Sequence, residues 1–231
     1  LTANVGYIVG SGGTIIKTTD GGSNWTTLSS GTTNDLRAVH FTSGSIGYAV
    51  GVGGTLIKTI DNGVTWSALT VATSENLNDI HFASSKIGYA VGVGGEIWKT
   101  EDAGLIWENV GTGFSLELVN VYFTDDLTGY ASSDSYARIT IDGGTNWIDY
   151  NLSGLPGSIT GIHFSSASTG YMVGGSGTFV KYQSELEPEY QASDLVFDEV
   201  YANSMRLSYT ASPDIPTGYL AIRKATSAPT T

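Results

Sequence analysis

Gly47-Tyr48-Ala49-Val50-Gly51 decides the fold, because it returns at a fixed interval along the chain. Upstream it reads Gly6-Tyr7-Ile8-Val9-Gly10. Downstream it reads Gly88-Tyr89-Ala90-Val91-Gly92, then Gly129-Tyr130-Ala131, then Gly170-Tyr171-Met172-Val173-Gly174. The tyrosines stand at 7, 48, 89, 130 and 171, so every step is 41 residues. Five occurrences at one spacing define an internal repeat.

Working outward, each unit has one plan. A run such as Leu36-Arg37-Ala38-Val39-His40-Phe41 precedes the Gly-Tyr run, and Thr55-Leu56-Ile57-Lys58-Thr59 follows it. A turn then closes on tryptophan and a polar run, Thr65-Trp66-Ser67-Ala68-Leu69. The runs are short, rich in β-branched and aromatic residues, and punctuated by glycine, so they read as four antiparallel strands. Four strands in about forty residues, without helical patterning, predict the blade of a β-propeller. The fold class is therefore all-β.

Composition agrees by exclusion. Of 231 residues 31 are glycine, about 13% against a usual ~7%. Without a three-residue period this is not collagen, and hydrophobic residues at 40% can supply a core. No apolar run approaches the ~18 residues of a membrane helix, so membrane insertion is not expected. With no cysteine there is no disulfide framework and no thiolate chemistry. Ten basic residues against 22 acidic ones give a net charge of −12, which repels phosphate backbones and excludes nucleic acid as an expected partner.

The turn before the fourth strand carries the sharpest motif. Thr18, Asp20, Gly22 and Trp25 recur as Thr59, Asp61, Gly63 and Trp66, as Thr100, Asp102, Gly104 and Trp107, and as Thr140, Asp142, Gly144 and Trp147. A carboxylate in such a turn can accept several backbone N–H groups, glycine permits positive φ, and the indole can cover a neighbouring strand. Equivalent positions in successive blades face different places, so four repeated aspartates cannot converge on one substrate. The expected role is structural.

This turn resembles the Asp-box of the bacterial neuraminidase repeat. Together with Gly-Tyr-Ala-Val-Gly and Ile-Lys-Thr, the unit resembles the propeller of the photosystem II assembly and stability factor family over residues 1–182. That resemblance implies a non-enzymatic chaperone gripping a partner through a basic surface. Residues 1–182 hold 15 acids and seven bases, with Arg37 and Arg138 as their only arginines. Sialidases share the Asp-box, but their site needs three arginines. Xyloglucan-cleaving enzymes with Asp-box propellers need two carboxylates across a cleft about 5–9.5 Å wide, so a glycoside hydrolase fragment is the alternative from another class.

The ends break the pattern. The first unit lacks its leading strand, and the fifth runs from Ile159 to Tyr182 without an Asp-box, leaving three full blades and two partial ones. The missing strands could complete each other in a five-bladed ring, or further blades precede Leu1 in a ring of about seven. Residues 183–191 read as an acidic linker. Only Gly218 of the glycines and four of the five prolines follow residue 183. Residues 192–231 show three strand patterns resembling the opening of a fibronectin type III domain, too short to close a two-sheet core.

His40, His81 and His163 share one strand position that Tyr122 fills in another blade, which favours packing over metal or acid–base work. Asp125-Asp126 and Asp134 lack the spacing of calcium loops, and Trp98 extends a strand face. No metal or cofactor is expected. Recognition is expected on the rim opposite the Asp-box turns, in loops 29–35, 70–76, 111–117 and 151–158 and in 51–54, 92–95, 131–136 and 174–177. Phe114, Glu117, Asp134, Tyr136 and Arg138 are the chemically richest residues there. The expected function is a non-catalytic binding or scaffold module of a larger secreted or cell-surface protein, with a protein or carbohydrate partner and further domains on both sides.

Overall fold

The computed structural model describes residues 2–111, 114–134, 136–151, 154–155, 157–166, 169–183, 195–201, 204–209 and 219–223. These divide into two compact units, Leu1–Asp126 and Leu127–Thr231. All long elements are strands, and no described helix is long and apolar enough to cross a membrane.

The first unit holds a three-stranded sheet, β1 (Gly6–Gly10), β2 (Thr14–Thr18) and β3 (Thr26–Leu28). Two four-stranded antiparallel sheets follow: β4 (Leu36–Phe41), β5 (Gly47–Gly51), β6 (Leu56–Thr59) and β7 (Ser67–Ala68), then β8 (Leu77–Phe82), β9 (Gly88–Gly92), β10 (Ile97–Thr100) and β11 (Glu108–Asn109). Strand β12 (Asn120–Phe123), the start of the fourth repeat, also belongs here and packs on β8.

Within each sheet the order follows the chain, and the first strands β4, β8 and β12 lie against one another. The β5 and β9 strands are buried at all five positions, because a neighbouring sheet covers each face. This explains why Gly-Tyr-Ala-Val-Gly is an uninterrupted small-and-apolar run rather than an alternating one. Between sheets one and two the core is Ile15, Leu36, Ala49, Ile57 and Trp66. Between sheets two and three it is built around Tyr48, Val50, Leu77, Phe82, Trp98 and Trp107.

One side-chain device joins neighbouring sheets. Phe41 stacks on Tyr7 of the preceding repeat at 4.1 Å, Phe82 on Tyr48 at 4.1 Å and Phe123 on Tyr89 at 3.6 Å. The same phenylalanine meets its own repeat's tryptophan edge-on, Phe41–Trp66 at 6.0 Å and Phe82–Trp107 at 6.1 Å. It also leaves no room at the glycine opening the next strand, where a Cβ on Gly47 or Gly88 would lie 2.6 Å from the ring.

The second unit holds β13 (Gly129–Ser132), β14 (Tyr136–Thr140) and β15 (Ile148–Asn151), paired antiparallel in chain order. A six-stranded sheet follows, from β16 (Ile159–Ser166), β17 (Thr169–Gly174), β18 (Phe179–Gln183), β19 (Leu195–Tyr201), β20 (Ser204–Tyr209) and β21 (Tyr219–Arg223). Its order is β16-β17-β18-β21-β20-β19. The tail strands thus extend the fifth repeat's sheet, with β21 in the place the short fourth strand holds in repeats two and three. Most of the expected linker, residues 184–191, lies outside the described residues. Tyr130 stacks on Phe164 at 4.4 Å, repeating the device of the first unit.

Candidate functional site

The Thr-x-Asp turns come first, because they carry most of the repeated polar chemistry. Thr18 Oγ1 donates to Asp20 Oδ1 at 2.8 Å and accepts from the Gly22 amide at 2.9 Å. Asp20 also accepts from Asn24, backbone N–H to Oδ1 at 2.9 Å and side-chain amide to Oδ2 at 2.7 Å. Asp61 does the same with Thr59 and with the backbone and hydroxyl of Thr65. Asp102 accepts from Thr100 and from the Leu105 and Ile106 amides, and Asp142 from Thr140 and Asn146.

Bonds from the Asn24 side chain and amide hold Asp20 down at about 2, and the Thr65 hydroxyl and amide hold Asp61 at about 2. Each carboxylate is an anion spent on its own turn.

A second repeated contact escaped the sequence reading. Tyr7 Oη and Lys17 Nζ both donate to the carbonyl of Asn62, at 2.8 and 2.9 Å. One repeat on, Tyr48 Oη and Lys58 Nζ both donate to the carbonyl of Ala103, at 2.8 and 2.7 Å. Asn62 and Ala103 are left-handed, with φ of 62° and 59°, and this conformation turns the carbonyl toward the preceding sheet. Each turn is therefore clamped by the repeat before it. The available signal was the recurrence of lysine at 17, 58 and 99 alongside the tyrosines.

On the opposite side, the starts of the first strands carry polar groups that the turns do not use. Arg37 Nη1 donates to Asn78 Oδ1, and Asn78 Nδ2 donates to Glu117 Oε1 at 2.9 Å and to the Leu118 carbonyl at 2.7 Å. Beside this line, Asp35 accepts from the Gly12 amide at 2.7 Å and Asn76 from the Gly53 amide at 3.0 Å. Arg37, Asp35, Glu75 and Glu117 are exposed. Phe114 is partly buried, and its backbone lies over Gly95.

The structure brings Phe114 and Glu117 together on this rim of the first unit. Asp134 is exposed and Tyr136 opens β14, both in the second unit. Arg138 requires a correction. It is no loop residue but the middle of β14, 5% exposed, bonded to Asp149 Oδ1 at 2.6 Å with its guanidinium over Trp147. The fourth Thr-x-Asp turn follows the third by 40 residues instead of 41. Arg138 therefore occupies the strand position of Ile57 and Trp98, which the uniform period concealed.

His40, His81 and Tyr122 form a ring contact series at 4.8 and 4.4 Å along the first strands. Burial holds His40 down at about 4, and His81 Nδ1 accepts from the Phe123 amide at 3.2 Å. Asp79 beside them accepts from the Val121 and Ile80 amides, both at 2.9 Å, and desolvation pushes it up to about 6 against those bonds. Among the described residues, no group of three or more His, Asp or Glu side chains could hold a metal ion.

The family model of the photosynthesis system II assembly factor YCF48 matches residues 1–74 and 25–111. This chain has a β-propeller fold. The propeller's solved neighbours are similar in fold at low identity. A structure of YCF48 bound to a D1 peptide is 19% identical with a TM-score of 0.62, covering 96% of this chain and 76% of that one. YCF48 from Cyanidioschyzon merolae is 19% identical with a TM-score of 0.62, over 78% of this chain and 66% of that one. The GH74 xyloglucanase from Xanthomonas campestris is 11% identical with a TM-score of 0.63, over 95% of this chain. The propeller spans only 42% of that enzyme's length. No curated protein sequence matches.

Proposed function

We propose that the propeller is a non-catalytic recognition module that binds an extended polypeptide segment of a partner protein on the rim of its first unit. The observation that carries this reading is the Arg37–Asn78–Glu117 line, which runs from the first strands β4 and β8 to the loop before β12. It sets polar groups in fixed positions on a rigid scaffold, as recognition surfaces require. The four repeated aspartates, the obvious candidates for acid–base work, are committed to their own turns. A propeller of similar fold whose structure carries a peptide supports the choice of a polypeptide ligand.

Around the line, Asp35, Glu75 and Glu117 outnumber Arg37, so the rim favours a segment carrying lysine or arginine. Binding of the chain to arrayed ten-residue peptides tests this. Basic extended peptides should bind, more weakly at high salt, and Glu117→Lys should weaken them several-fold. Depolymerisation of xyloglucan by the purified chain, with no peptide retained, would overturn the proposal in favour of a glycoside hydrolase.

A further inference from the structure

Asn62-Gly63 is the chain's single asparagine-glycine pair, and it stands where the other turns carry Gly21-Gly22, Ala103-Gly104 and Gly143-Gly144. Asparagine is thermolabile, and a following glycine makes it more so, because no Cβ obstructs the approach of the next backbone nitrogen. The Gly63 nitrogen attacks Asn62 Cγ, and the new N–C bond closes a five-membered succinimide as the Cγ–Nδ2 bond breaks. The Gly63 amide proton leaves with Nδ2 as ammonia. Water then opens the ring at either carbonyl. The products are aspartate and isoaspartate, and isoaspartate carries the chain through Cβ, which lengthens the backbone by one carbon.

In the folded turn both reacting groups are held. The Gly63 N–H donates to Thr59 Oγ1 at 2.9 Å in a buried setting, and that hydroxyl in turn donates to Asp61 Oδ1 at 2.8 Å. At the other end of the same peptide group, the Asn62 carbonyl accepts from Tyr7 Oη at 2.8 Å and from Lys17 Nζ at 2.9 Å. The peptide plane is thus pinned at its oxygen and at its nitrogen. Tyr7 Oη also lies 2.5 Å from Asn62 Oδ1, which keeps the side-chain amide on the tyrosine. Gly63 is buried, and a Cβ there would lie 2.9 Å from the Tyr7 ring and 3.2 Å from Leu28. A peptide nitrogen whose N–H is engaged in a buried hydrogen bond gives up its proton only when the structure opens locally, as in amide hydrogen exchange.

We propose that Asn62 is a latent self-modification site, silent while the first repeat clamps its turn and reactive once that clamp opens. The seam between the first two repeats controls the chemistry, because Tyr7, Lys17 and Leu28, which must withdraw, all belong to the first repeat. Reaction then makes the opening permanent. Either product places a new carboxylate beside Asp61, and the added backbone carbon of isoaspartate prevents the carbonyl and the Gly63 amide from meeting their partners together. One repeat on, Ala103 offers the Tyr48–Lys58 clamp the same carbonyl without a side-chain amide, so the same contact there guards no reaction. The site is independent of the rim proposed above.

Peptide mapping by mass spectrometry follows Asn62 in the full chain, held in mildly alkaline buffer well below its Tm. Deamidation adds about 1 Da to the peptide containing Asn62, and chromatography separates its aspartate and isoaspartate forms. Asn62 in the folded chain should react more slowly than in the guanidinium-unfolded chain by about tenfold or more, as a local opening requires. Tyr7→Phe should raise the folded chain's rate several-fold. Tyr48→Phe, which removes the matching hydroxyl one repeat on, should leave the rate at Asn62 unchanged. Chains that have reacted fully at Asn62 while unfolded should refold with a lowered Tm, whereas Asn62→Ala, which copies the third repeat's turn, should keep its Tm through the same treatment. The proposal is overturned if folded and unfolded chains react at Asn62 equally fast, or if Tyr7→Phe leaves the rate unchanged. It is also overturned if Tyr48→Phe accelerates the reaction as much as Tyr7→Phe, since global unfolding would then be the trigger.

Discussion

At the residue scale, the repeated polar groups divide into those that hold the scaffold and those left facing solvent. Tyr48 shows the first kind. Its ring is buried against Phe82, its hydroxyl is bonded to the Ala103 carbonyl, and desolvation followed by the nearby Asp102 charge pushes it up to about 12. Tyr48→Phe keeps the stacking and loses one hydrogen bond. It should cost about 1 kcal/mol in urea unfolding, with Lys58 still bonded to the same carbonyl.

Asp20 and Asp61 make the acid limit predictable. Their folded values of about 2 lie below the ordinary 3.8, so the stability they contribute is complete above about pH 4 and is lost as pH falls toward 2. Tm measured across that range should drop, and Asp61→Asn should flatten part of the drop while lowering Tm at neutral pH. His40 and Asp79 act in opposite senses at higher pH. His40 at about 4 makes stability rise with pH between 4 and 6.5, and Asp79 at about 6 makes it fall between 3.8 and 6. His40→Phe should therefore expose a decline in Tm from pH 4 to 6 that the parent chain masks.

At the scale of the element, the Gly-Tyr strand was legible and its reason was not. Periodicity showed where the strands lie, because short apolar runs between glycines leave few alternatives. That Gly88 serves a phenylalanine ring on the neighbouring strand needed coordinates, since the two residues are related only by strand pairing. Gly88→Ala should destabilise the chain by about 1–3 kcal/mol, the range for overpacking a filled site, as measured by chemical denaturation. Gly10→Ala, at the strand-closing position of Gly51 and Gly92 but with nothing within 4 Å of it among the described residues, should cost nothing measurable. The tail strands mark the limit of this kind of reading. Composition alone separated residues 192–231 from the repeats. Which edge those strands pair with is a non-local choice, and β21 takes the edge of β18. Arg138 was misplaced for a local reason, the single residue missing between β13 and β14.

At the scale of the whole molecule, the candidate rim was legible only in part. Phe114 and Glu117 were found because they are unusual residues in a loop. Arg37 and Asn78 looked like ordinary strand residues, and their partnership with Glu117 depends on β4 and β8 lying side by side next to the loop that precedes β12. The clamp on the Asn62 and Ala103 carbonyls carries a further consequence. Donors always sit one period before their acceptor, so the array has a grammar in which any whole word can be struck out. Removing residues 42–82 takes out one period and brings the Ala103 carbonyl to Tyr7 and Lys17 in place of that of Asn62. It also brings Gly88 to Phe41 in place of Gly47. Such a shortened chain should unfold cooperatively by circular dichroism, whereas a deletion one residue longer, which inverts strand faces, should not. A gene built of such words can lengthen or shorten by recombination between its own copies without any contact having to be reinvented.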